Sequence, residues 1–177
     1  MQFAAILAAS IMVVTSLVLC VRFGWHREQT VSRHVAQRRW SAAVFGVAMG
    51  VTGVVMAVYT WGWLRPRAGL PWWALVPLGA VCLGLVLIAV FPRRPPLVGI
   101  HHHASWATLV AMAVAAPALV AATWGHAGVG VRVFDVVFLG YTAVLVGVRF
   151  TRFLKPYYLY WETSFFLGFF VLWLTAT

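Results

Sequence analysis

Three consecutive histidines, His101-His102-His103, stand between Gly99-Ile100 and Ala104-Ser105-Trp106. Successive residues on a helix point about 100° apart, so the three imidazoles fan over roughly 200° and at most two can serve one site. A metal site built on the run needs ligands from elsewhere. His26, Glu28 and His34 in an upstream polar stretch and Glu162 near the C-terminal end are the candidates, because neutral imidazoles with a carboxylate suit zinc or non-haem iron. The spacing matches no metal motif such as HExxH, so the set His26, His34, His102 and Glu162 ranks below a plain interfacial role for the histidines. No cofactor is expected: CxxCH is absent, Cys20 and Cys82 form no CxxC pair, and Walker, dinucleotide-glycine and GxSxG patterns are missing.

The same residues read more readily as an anion site. Arg93 and Arg94 precede the histidine run, where a helix is expected to begin and to present unpaired N–H groups. A lipid phosphate fits there, bound by Arg93, Arg94, His101, His102 and His103. Glu162 is the other conspicuous residue. A carboxylate inside an apolar run is costly unless paired or facing a polar cavity, and Arg149, Arg152 or the histidines are its expected partners, in an ion pair locking the last two helices or in ligand handling. Asp135 follows Arg132 by three residues, a spacing that predicts a helical ion pair.

The elements that position these groups follow from composition. Of 177 residues, 63% are hydrophobic and only 9% charged, and the mean hydropathy is +0.93. A water-soluble domain carries about 25% charged residues, so lipid must be the solvent for most of this chain. Runs long enough for a hydrocarbon core of about 30 Å occur at Phe3 to Val21, Ala42 to Trp63, Trp72 to Phe91, Ala104 to Trp124, Val133 to Phe150 and Tyr157 to Ala176. They show no alternation, which excludes strands, and predict an all-α, six-helix transmembrane bundle as one domain over 1–177. Met1 to Leu19 lacks a basic n-region and an A-x-A site, so it is expected to stay as the first span. The second run carries Ala42, Gly46, Gly50 and Gly53, a small-residue face expected to pack on a neighbour within the chain rather than on another copy.

A net charge of +10 does not point to nucleic acid, because the basic residues sit in short gaps and form no stripe. They report orientation instead. Arg22, Arg27, Arg33, Arg38, Arg39, Arg93, Arg94, Arg149, Arg152 and Lys155 fall on one side, and Arg65, Arg67 and Arg132 on the other. The positive-inside rule then places both termini outside the cytoplasm.

A polar loop with Ser32 before the second span, a third span closing in Phe91-Pro92, a histidine (His101 or His102) opening the fourth before Ala104, and Tyr160-Trp161-Glu162 opening the last together resemble the DRAM/Frag/Sfk-like six-helix membrane proteins and their bacterial relatives. The resemblance covers essentially the whole chain through short motifs. It implies an integral membrane protein of lipid handling or membrane homeostasis, here in a bacterial inner membrane. Arg93 and Arg94 stand where bacterial relatives often carry an acid, and the family is usually drawn with cytoplasmic termini, opposite to the charge asymmetry of this chain.

The expected function is therefore non-enzymatic binding of anionic lipid headgroups at the His/Arg rim. Membrane lipids are the expected partners, together with a homo-oligomer or larger membrane complex. The alternatives are a metal- or His/Glu-dependent enzyme acting on a lipid, and a small transporter or accessory subunit.

Overall fold

Long apolar runs without water satisfy their backbone groups internally, and the helix does this within one segment. The computed structural model describes residues 1–149 and 156–176, position 149 by its backbone alone, and every regular element among them is helical. In chain order these are α1 (Gln2–Arg22), α2 (Val31–Val35), α3 (Arg39–Tyr59), a π-helical segment (Thr60–Leu64), α4 (Arg65–Ala68), α5 (Trp72–Val90), α6 (Val98–Thr123), α7 (Val129–Arg149) and α8 (Tyr158–Thr175).

Among the described residues five helices are long and apolar enough to cross a membrane: α1, the continuous helix Arg39–Ala68, α5, α6 and α7. The sixth run differs. α8 is not among them; its first turns carry Tyr158, Tyr160, Trp161, Glu162, Thr163 and Ser164 around Leu159. It nevertheless runs antiparallel along α1. Gln2 Nε2 donates to the Leu174 carbonyl at 3.2 Å at one end, and Leu159 N–H donates to the Arg27 carbonyl at 3.0 Å at the other.

Two boundaries depart most from the sequence reading, by five residues or more. The second helix does not stop at Trp63 but continues through Arg65-Pro66-Arg67, because the π-helical turn Thr60–Leu64 immediately before Pro66 re-pairs the backbone groups that a residue without an N–H would leave open. It ends at Gly69, whose φ of +60° is a left-handed cap that glycine adopts without penalty. The fourth helix begins at Val98, six positions before Ala104, so the histidine run lies on the helix rather than ahead of it.

Packing places α1 between α3 and α8, α5 between α3 and α6, and α6 beside α8, which closes a ring of five helices; α7 lies outside it against α6 and α8. The small-residue face of α3 sets one side of this ring. A Cβ at Gly46 or Gly50 would meet Ala89 at 3.2 Å, and one at Gly53 would come within 2.8 Å of the Cys82 carbonyl oxygen. The partner of that face is thus α5 of the same chain, as expected. Trp173 is fully buried and its indole N–H donates to Thr60 Oγ1 at 3.1 Å, joining α8 to the π-helical segment that continues α3.

Candidate functional site

The polar segment between α1 and α3 is held by its own side chains. His34 is completely buried; its Nδ1 lies 3.0 Å from the Thr30 carbonyl and its Nε2 accepts the His26 N–H at 3.1 Å. A carbonyl only accepts, so Nδ1 carries the proton, and both ring nitrogens are engaged. His34 is therefore a loop staple. Among the described residues no group of three or more His, Cys, Asp or Glu is gathered as a metal would require, so His26, His34, His102 and Glu162 do not converge on one point.

Around this segment the structure assembles a cleft from α2, the α5–α6 connection, α6 and α8. Arg93 donates through one terminal nitrogen to Thr30 Oγ1 at 3.1 Å and Ser32 Oγ at 3.2 Å. Burial and the charge of Arg33 lower its pKa, and the Glu162 carboxylate opposes that shift; an arginine stays protonated regardless. Glu162 Oε2 accepts the Val31 N–H at 2.8 Å, satisfying a backbone donor at the start of α2. His101 Nδ1 lies 2.8 Å from the Phe91 carbonyl, which fixes the proton there when the ring is neutral. Its Nε2 is buried, with no hydrogen-bond partner among the described residues, in a residue only 3% exposed.

The cleft has a volume of about 320 Å³, and its described charged and titratable lining is Arg33, Arg93, Glu28, Glu162, His101, His102 and Tyr158. Two apolar spaces adjoin it. A chamber of about 50 Å³ inside the helix ring, lined by Met12, Phe45, Met49, Ile88 and Phe166, shares Ser32, Ser105, Leu109 and Glu162 with the cleft. A groove of about 120 Å³ between α6, α7 and α8 shares Trp106, Leu109 and Trp161 with it. Glu162 thus stands where the polar space gives way to the central apolar one, and the two tryptophans stand where it gives way to the lateral one.

Of the five residues expected to bind a headgroup, Arg93, His101 and His102 meet in this cleft. Arg94 does not: it lines a separate groove on the outer face of α3 and α5 with Arg39, Gly46, Gly50 and Ala89. His103 is exposed and turned back onto the Gly99 carbonyl at 2.8 Å. For Glu162, the Arg149 side chain and Arg152 lie outside the described residues. Among the described residues no ion pair joins Arg132 to Asp135; the Arg132 guanidinium lies over the Trp124 ring at 5.5 Å and Asp135 is buried. An aromatic face at the helix end competes successfully for the cation.

Sequence reasoning missed Arg33, Ser105 and Trp106 as lining residues. Ser105 carried a usable signal, since it follows His101 by four residues and so shares its helix face. The chain matches no known family model, no curated protein and no solved structure.

Proposed function

We propose that this chain is an integral membrane protein that binds a phospholipid, the headgroup phosphate at Arg93 and Arg33 and the acyl chains along the groove between α6, α7 and α8. The observation that carries the reading is the shared wall: Trp106, Leu109 and Trp161 belong both to the charged cleft and to the apolar groove. A ligand that is charged at one end and apolar at the other fits both at once. Arg93 uses one of its terminal nitrogens on Thr30 and Ser32, and its remaining donors match phosphate oxygens.

Six crossings with both termini outside the cytoplasm form part of the same proposal. It is supported by α8 running alongside α1 from Leu174 at Gln2 to Leu159 at Arg27, and by the basic residues concentrated on the cleft side. Membership of the DRAM/Frag/Sfk-like group, with its roles in lipid handling, belongs to the proposal as well and rests on the motifs quoted for it.

The test is lipid retention by the purified full chain in native mass spectrometry. Arg93→Ala is expected to release phospholipid, and Arg94→Ala to leave retention unchanged because that side chain lies in the other groove. Equal retention in wild type and Arg93→Ala would falsify the reading.

A further inference from the structure

The groove on the outer face of α3 and α5 is separate from the rim cleft and larger, at about 550 Å³. Arg39 opens α3 and Arg94 lies just past the end of α5, so both arginines stand at the end of the groove where the apolar segments begin. From there the lining descends α3 through Ala43, Gly46 and Gly50 to Val51, about 18 Å at 1.5 Å per residue. That is close to half of a hydrocarbon core of about 30 Å. The lining stops short of Gly53, where a Cβ would come within 2.8 Å of the Cys82 carbonyl oxygen and the two helices close on each other.

The two cations are an observation independent of the small-residue wall. No Asp or Glu lines the groove, and neither guanidinium has a carboxylate or hydrogen-bond partner among the described residues. Arg94 is half-buried with its Nε sunk and unpaired, which leaves the terminal nitrogens to meet a ligand; Arg39 is exposed. Unanswered guanidinium groups at the level where a membrane presents its phosphates complement an anion. The apolar trough that starts beneath them complements a hydrocarbon chain, and its length of one leaflet matches a lipid rather than a spanning helix, which is about twice as long. A second copy of this chain fits the charges badly, because a two-fold contact through the groove sets like arginines against each other.

We infer that this groove is a second lipid site, which takes a phospholipid of net negative charge with its phosphate on Arg39 and Arg94 and one acyl chain along Ala43, Gly46, Gly50 and Val51. The site goes beyond the rim cleft and shares no lining residue with it, so either stands without the other. Selectivity follows from charge. Two cations without an acid hold a net anion, whereas a zwitterionic headgroup brings its own ammonium to the same pair and gains little.

The experiment offers the full chain phosphatidylethanolamine or phosphatidylglycerol in mixed micelles and counts bound lipid by native mass spectrometry. Phosphatidylethanolamine has no net charge, so its retention reports the rim cleft and is expected to stay unchanged in Arg39→Gln and Arg94→Gln. Phosphatidylglycerol is expected to be retained in one further copy, and each of those substitutions to lower the retention of that copy about fivefold, the effect of one basic side chain near an anionic surface. Arg39→Lys keeps the charge and is expected to keep the copy. Ala43→Leu places a large side chain in the groove at an exposed position and is expected to displace the lipid with no change of charge. Equal counts of the two lipids on wild type, or a phosphatidylglycerol count unmoved by both arginine substitutions, would overturn the site. So would a lipid-free dimer that Ala43→Leu separates, which would give the groove to a second copy. Loss of phosphatidylethanolamine on Arg93→Ala reads the rim cleft alone, so failure of one site is distinguishable from failure of the other.

Discussion

Glu162 on the last long helix accepts the backbone N–H of Val31, at the head of the short helix α2, at 2.8 Å across 131 residues of sequence. One carboxylate thereby fastens the polar segment after α1 onto α8, over the central chamber of the helix ring. Glu162 also lines both that chamber and the rim cleft, so this fastening contact lies within the site itself.

Glu162→Ala removes the acceptor and leaves the Val31 N–H unpaired, with an expected loss of about 1–3 kcal/mol. Glu162→Gln keeps a carbonyl oxygen for that N–H and is expected to lose less. Thermal unfolding of both variants in the same detergent reads the difference, and equal losses would show that the charge, not the hydrogen bond, is the fastening.

At the α3–α5 contact, Gly53→Ala places a methyl group 2.8 Å from the Cys82 carbonyl oxygen, a rigid neighbour that moves only with the helix. Overpacking of this kind costs about 1–3 kcal/mol. Gly140→Ala, where a Cβ meets nothing within 4 Å, is expected to be neutral or to stabilise α7 by up to about 1 kcal/mol. A thermal shift of the same sign and size in both variants would refute this account of the helix contact.

Trp173→Phe keeps most of the buried ring but removes the N–H that reaches Thr60 Oγ1 at 3.1 Å. The expected loss is about 1 kcal/mol. A double variant with Thr60→Val should lose little more than the single ones if the two groups act together; additive losses would separate them.

Topology is checked by labelling single cysteines. His103 and His126 are both exposed and sit at opposite ends of α6, and the native Cys20 and Cys82 are buried, which keeps background labelling low. A reagent that does not cross the membrane is expected to reach His126→Cys from outside intact cells and His103→Cys only after lysis. The reverse pattern would invert the orientation proposed from the charges.

The helices were legible because hydrophobicity is a property of composition, which any window of sequence reports. The fan of three histidines was legible for the same kind of reason: helical geometry alone allows at most two on one site, and His101 and His102 line the cleft while His103 does not. What sequence does not carry is the direction of side chains leaving an irregular turn. Arg93 and Arg94 are adjacent and identical in type, yet one enters the cleft and the other the groove on α3 and α5. The continuation of α3 through Pro66 was hidden for a related reason, since proline reads as a break until the π-helical turn ahead of it is known. Arg33 entered the cleft through tertiary placement of α2, which no spacing along the chain announces, whereas Trp106, four residues after His102, shares its helix face.

The sideways opening of the groove beside Trp106 and Trp161 has a thermodynamic corollary for the proposed ligand. Its tails exchange one hydrocarbon surrounding for another, so docking gains almost nothing from the hydrophobic effect, and every occupant displaces a neighbour of the same kind. Preference then acts as a partition within the leaflet, governed by mole fraction rather than by molar concentration. A modest bias between headgroups is enough to keep such a site filled by one abundant lipid species.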